Sequence, residues 1–230
     1  MSITIVSHQP QYFPHLELFN KILQSNKFVI LDDVKFNNSA WHAKTIIKDN
    51  KDNIIQLIIP CSKINSSSNK IKDIKIFNDK WKKKHLKTLE QIFGKTKYFN
   101  EIYKVIFQIL SQKSIYLIDY TIPSMMYFLE KFGYLKKNIF LLSEQSKING
   151  DKNDFLINLI KKFDGDKYLS GQGAKSYIDE KQFLKNKIIH KFNDFDHPKY
   201  LQFGEKFIPK LSVVDAAFNI GLNNLNKIIL

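Results

Sequence analysis

Three places in this sequence carry residues whose types and spacing could do chemistry. His8 closes the apolar run Ile3-Thr4-Ile5-Val6-Ser7 and precedes the loop Gln9-Pro10-Gln11-Tyr12-Phe13-Pro14. Imidazole exchanges protons near neutral pH, so His8 is a candidate general base; the plainer reading is a histidine that fastens the loop to the backbone. Asp32 and Asp33 close a second apolar run, Phe28-Val29-Ile30-Leu31. A carboxylate there could hold a metal, a sugar hydroxyl or an amine, but successive strand residues point to opposite faces, so at most one of the pair faces a pocket. The third place is Ser170-Gly171-Gln172-Gly173-Ala174-Lys175-Ser176, a glycine turn whose N–H groups could cradle a phosphate. Its spacing is neither the Walker nor the Rossmann pattern, and such a turn is more often only a turn.

These residues need elements to position them. Strand, loop, helix (His15 to Ser25, with Leu16, Phe19, Ile22 and Leu23 at helical spacing) and strand make a βαβ unit. In a parallel sheet ligands bind beyond the carboxyl ends of strands, which puts His8 and Asp32/Asp33 on one rim. Lys44 to Lys48 and Ile54 to Ile59 read as a β-hairpin across Asp49–Asn53, followed by a loop at Ile64–Asn69 and an exposed strand at Lys70 to Ile76. A helical insertion spans about 78–133: one helix from Asn78 or Asp79 to Gly94, one from about Asn100 to Gln112, and one from about Ser114 to Phe132 that Pro123 should kink or split. Then alternation returns, with strands at Ile139–Leu142, Lys167–Ser170 and Ile188–Phe192 and helices at Lys152–Phe163 and Asp179–Asn186. Ser212-Val213-Val214-Asp215 resembles a capping box opening a final helix that Gly221 ends. The order predicts one α/β domain over residues 1–230: a parallel or mixed sheet with a hairpin and a helical insertion.

Composition narrows the partners. The 36 basic residues are all lysine, and against 22 acidic ones they give a formal charge of +14. With no arginine there is no bidentate fork for phosphate or base recognition, and crowding by Lys, Asn and Ile reads as AT-rich codon usage more than a selected polyanion surface. A general nucleic-acid module is therefore the least favoured class. Cys61 is the one cysteine, which excludes an intramolecular disulfide and a thiolate cluster. Neither a leader pattern nor a membrane-length apolar run is visible, and the expected location is cytoplasmic. Lys80, Lys82, Lys83, Lys84 and Lys87 read as a solvated helix face, His85 as a satisfied core histidine and Cys61 as a small packed thiol. His190 and His197 lack partners at metal-ligand spacing.

Several blocks carry a family likeness. His8-Gln9-Pro10-Gln11-Tyr12-Phe13-Pro14, Lys21-Ile22 and Phe28 to Phe36 resemble the signature opening of the WbqC-like proteins. The likeness continues at Thr88-Leu89-Glu90, Gly94-Lys95, Tyr98-Phe99, Tyr168 to Ala174, Tyr177-Ile178-Asp179, Phe207 to Ser212 and Phe218 to Gly221. The resemblance implies a role among O-antigen and capsule biosynthesis proteins. For some members it implies transfer of an aminoacyl group such as glycyl to a nucleotide-linked 4-amino-4,6-dideoxy sugar. On that reading His8 is the base, Asp32 or Asp33 orients the amine, and the Gly171–Gly173 turn donates to the oxyanion. Lys44 and Lys48 hold diphosphate or carboxylate charge, and Gln9, Tyr12, Lys35, Ser170 and Tyr177 complete the substrate site. The family usually has glutamine at Lys35, arginine near Lys44 and an aromatic at His15, so His15 is set aside. No tightly bound cofactor is called for; the acyl donor is activated through ATP or arrives on a charged tRNA. An enzyme is favoured over the rival class, a non-catalytic accessory protein that binds a sugar nucleotide or a partner enzyme.

Overall fold

A computed structural model describes residues 2–37, 41–62, 69–150 and 152–230. In chain order its elements are β1 (Thr4–His8), α1 (Leu16–Leu23), β2 (Lys27–Ile30), the hairpin β3 (Lys44–Lys48) and β4 (Ile54–Ile58), α2 (Lys80–Phe93), α3 (Phe99–Leu110) and α4 (Ile118–Lys131). There follow β5 (Ile139–Leu141), α5 (Lys152–Lys162), β6 (Lys167–Ser170), α6 (Glu180–Lys185), β7 (Ile189–Phe192), α7 (Val213–Ile220) and α8 (Leu222–Ile228). Five strands pair in the order β5-β2-β1-β6-β7, parallel throughout, and β3 and β4 form a separate antiparallel pair. The α/β class, the hairpin and the inserted helices are as the sequence predicts.

The period of two along the strands sorts the side chains into two cores. Val6, Phe28, Ile30 and Leu169 face one cluster, built with α1, α2, α3, α4, α7, α8 and the hairpin. Ile5, Val29 and Tyr168 face the other, covered by α5 and α6. Because both faces are covered, the strands read as continuous apolar runs. The buried hydroxyls of Ser7 and Tyr168 meet at 2.8 Å and join β1 to β6 across 161 residues of chain.

The structure departs from the sequence reading in a few places. Lys70 to Ile76 is not a strand: it forms a 3₁₀ turn at Ile71–Asp73 with isolated bridges on either side. Ile71, Ile74 and Ile76 are all buried, and their spacing satisfies a tight turn as readily as a strand. The helix expected from Ser114 begins at Ile118 and runs unbroken through Pro123. Ser212 caps α7 through Val214 N–H, but Asp215 does not reach back as a capping box requires. It accepts from Lys48 N–H and from the Tyr200 hydroxyl instead. Beyond Gly221 a further short helix, α8, follows directly. Of the loop read at Ile64–Asn69, residues 64–68 lie outside the described residues.

Candidate functional site

From β1 the chain winds through β2 to β5 on one side, and it comes back on the other side as β6 and β7. The winding reverses between β1 and β6, and in open parallel sheets that switch point, at the carboxyl ends of the strands, is where ligands sit. His8 ends β1 and Gly171 follows β6. A cavity of about 260 Å³ opens between them, lined by His8, Lys21, Gly171, Gln172, Gly173 and Lys210 among others. A second cavity, of about 250 Å³, continues past the shared residues His15, Glu17 and Lys210 to Tyr12, Trp41 and Lys44. Each alone falls short of the roughly 300–1,000 Å³ usual for a small-ligand pocket. Because they share three lining residues, the two together could take an elongated ligand.

The loop from His8 to α1 is clamped on several sides. Tyr12 N–H donates to the His42 carbonyl at 3.0 Å, and Phe13 N–H donates to Ser124 at 3.2 Å. Phe13 sits at φ 43°, a left-handed backbone rarely adopted by a bulky residue. Its carbonyl accepts from the Thr45 and Ser212 hydroxyls at 2.8 and 2.9 Å, which hold the strained turn in place.

His8 Nδ1 lies 2.8 Å from the Gln9 carbonyl, an acceptor, so Nδ1 carries the proton and Nε2 keeps its lone pair. Nε2 has no hydrogen-bond partner among the described residues. Burial, reinforced by the Lys21 ammonium, pushes the His8 pKa well below its ordinary value, so the ring is neutral at physiological pH. Lys21 is 4% exposed on the inner side of α1. A Cβ placed on Gly171 would lie 3.9 Å from its Nζ, which puts the ammonium against the glycine turn. Burial lowers its pKa to about 8, opposed in part by the Glu17 carboxylate. His15, at the seam of the two cavities, has a buried Nδ1 without a partner among the described residues.

The predicted site residues divide. His8, Gly171 and Gly173 share the switch-point cavity, and Lys44 and Tyr12 line its extension. Lys44 stands 4.9 Å over the Trp41 ring, whereas the Tyr12 ring is fully buried, with its hydroxyl 3.1 Å from His85 Nδ1. Gln9 supplies the carbonyl that fixes His8. The others do not line the groove. Asp32 is buried, and its carboxylate accepts from Ser143 N–H at 2.9 Å and from the Ser143 hydroxyl, capping the turn after β5. Asp33 pairs with Lys70 and Lys72, each at 2.7 Å; burial raises its pKa, but those two hydrogen bonds outweigh it and leave the carboxyl below its usual range. Lys35 is exposed beside Lys70. Lys48 is buried and committed to Asp52 at 3.0 Å and to the Lys206 carbonyl. Ser170 meets His190 Nε2 at 2.8 Å on the α5–α6 side of the sheet, and Tyr177 lies exposed beyond the glycine turn.

Lys21, Glu17 and Lys210 were not named as site residues by sequence reasoning, although Lys21 and Lys210 fall in blocks that carry the family likeness. Lys21 carries a faint signal, three residues after buried Leu18 and one before buried Ile22, on the covered side of α1. A larger cleft of about 590 Å³ lies between α2 and α3, but Lys83 and Lys87 there are solvated and Lys82 is paired to Asp79 at 2.9 Å. No group of three His, Cys, Asp or Glu side chains able to hold a metal occurs among the described residues.

Fold and site together define a parallel α/β protein with a basic, histidine-bearing groove at its switch point. Residues 9–227 match the model of the WbqC-like protein family, and the chain belongs to that family. The uncharacterized protein Rv1507c of Mycobacterium tuberculosis (strain ATCC 25618 / H37Rv) is 25% identical over 218 residues, which covers 93% of this chain and 92% of that protein. No solved structure matches. No helix among the described residues is long and apolar enough to cross a membrane.

Proposed function

We propose that this protein is an enzyme of surface-polysaccharide (O-antigen or capsule) biosynthesis. It transfers an aminoacyl group, glycine in the favoured case, to the amine of a nucleotide-linked 4-amino-4,6-dideoxy sugar. The observation that supports the reading is His8: a neutral imidazole with its Nε2 lone pair free, lining a cavity that shares His15, Glu17 and Lys210 with a second one. Family membership supports the setting. In the reaction the sugar amine attacks the carbonyl carbon of an aminoacyl ester or adenylate, forming the C–N bond. The amine's proton passes to His8 Nε2 and the C–O bond to the donor breaks. The departing ribose hydroxyl takes that proton back, or a departing phosphate leaves as the anion while water relieves His8. The Gly171–Gly173 turn lines the cavity, and its N–H groups would serve the tetrahedral oxyanion. Asp32, Asp33 and Lys48, occupied elsewhere, take no part.

The test is mass spectrometry of a nucleotide-linked 4-amino-4,6-dideoxyhexose incubated with the protein, glycine and ATP, with and without glycyl-tRNA. A gain of one glycyl residue in either mixture, falling by about a hundredfold with His8→Ala, supports the reading. Dependence on the charged tRNA names the donor. Tight binding of the sugar nucleotide with no mass gain would make the protein an accessory binder instead.

A further inference from the structure

The Lys21 side chain is 4% exposed and lines the switch-point cavity, with no ion-pair partner among the described residues. Lysine is almost never buried without a counter-charge, because the charged form loses its hydration. Here no hydrogen bond or ion pair reaches Nζ among the described residues, and the nearest carboxylate, Glu17, acts only at a distance. Lys21 lines the switch-point cavity beside Gly171–Gly173. Lys210, exposed, overhangs the seam where the two cavities join, next to the unpartnered Nδ1 of His15.

We propose that Lys21 and Lys210, with His15 between the cavities, form a subsite for the diphosphate of a nucleoside diphosphate ligand. This rests on the groove being the substrate site, and it names the group held at its centre. The placement orders the rest of the ligand: the sugar lies toward His8, and the nucleoside runs through the second cavity toward Trp41 and Lys44. It differs from the sequence expectation, which gave the phosphate charge to Lys44 and Lys48. A small diphosphate fits better than a nucleic-acid backbone, because the key cation is recessed inside a cavity of about 260 Å³ rather than displayed on a surface. The same contact tunes the base. Lys21 is the cation that, after burial, most lowers the His8 pKa, and a diphosphate on Lys21 cancels that charge when the ligand arrives. The titratable and charged groups facing His8 are Lys21, Glu17, His15, His42 and Lys210.

The experiment is calorimetric titration of the full chain with inorganic pyrophosphate, paired with NMR titration of His8. Lys21→Met keeps the side-chain length and removes the charge. Lys83→Met, on the solvated face of α2, makes the same charge change outside the groove. The wild type and Lys83→Met should bind with dissociation constants within threefold of each other, and Lys21→Met should bind at least tenfold more weakly. Pyrophosphate should raise the His8 pKa in the wild type and leave it unmoved in Lys21→Met. Should Lys21→Met not fold, Lys210→Met, at an exposed position, should weaken binding about fivefold. Equal binding by all variants, no wild-type binding at 10 mM, or an equal loss in Lys83→Met would overturn the proposal. None of these results depends on aminoacyl transfer, so the subsite and the reaction can fail separately.

Discussion

Replacing Lys21 by Met should stabilise the protein, which is unusual for a substitution at a buried position. The size follows from the titration of the ammonium. Burial lowers its pKa from 10.5 to about 8 in the folded chain, whereas in the unfolded chain it is ordinary. At about 1.36 kcal/mol per pH unit, holding this group charged costs the fold roughly 3 kcal/mol at neutral pH. Below pH 8 both states are protonated and the full penalty stands. Between pH 8 and 10.5 the folded state releases its proton first, the unfolded chain binds more protons, and this group's contribution to stability rises with pH. Lys21→Met removes the charge, so at pH 7 the variant should be more stable by up to about 3 kcal/mol, or roughly 6–12 °C in Tm for a chain this long. Urea denaturation of both proteins at pH 7 and at pH 10 measures it. The advantage should be largest at pH 7 and should shrink toward pH 10. A variant less stable than the wild type at pH 7, or an advantage constant across pH, would refute the reasoning.

Other substitutions separate structural from chemical roles. Asp32→Ala removes the carboxylate that caps the turn at Ser143 and should cost about 1–3 kcal/mol in urea denaturation. The transfer rate per folded molecule should stay within a few-fold. Gly221→Ala should cost more than about 2 kcal/mol, because φ is +76° and a Cβ would meet the Tyr98 ring at 2.5 Å; a change in denaturation midpoint under half that size would contradict the geometry. Burial pushes the Cys61 thiol up to about 11, so alkylation by iodoacetamide should be slow at pH 8 and accelerate toward pH 11. Cys61→Ser should leave transfer unchanged.

The parts of the fold legible in the sequence were those written in local periodicity. Apolar runs at Ile3–Val6 and Phe28–Leu31, and the polar break between Lys48 and Ile54, marked β1, β2 and the hairpin because burial on a sheet imposes its own spacing. Lys70 to Ile76 misled because three buried isoleucines fit either a strand or a tight turn, and backbone hydrogen bonds to Asp32, Val34 and Ile115 decided between the two. Ser212 and Asp215 have capping-box spacing, yet Asp215 serves Lys48 and Tyr200, partners brought in by tertiary packing. The site was half legible. A histidine at a strand end and a glycine turn after another strand could each be seen, but nothing local says that β6 lies beside β1. That neighbourhood is set by contacts such as Ser7 with Tyr168, and it moves the groove to the side of β1 away from Asp32 and Asp33. Lys21 was hidden for a related reason: a lysine in a helix reads as solvated until the sheet beneath it is known.

The most direct check on the switch-point groove as the functional centre is a crystal structure with a nucleotide-linked 4-amino-4,6-dideoxyhexose bound. The sugar amine should lie within about 3 Å of His8 Nε2, with the diphosphate between Lys21 and Lys210 and the base toward Trp41. A ligand seated instead on Asp33, Lys35 and Lys70, or in the lysine-lined cleft between α2 and α3, would contradict it.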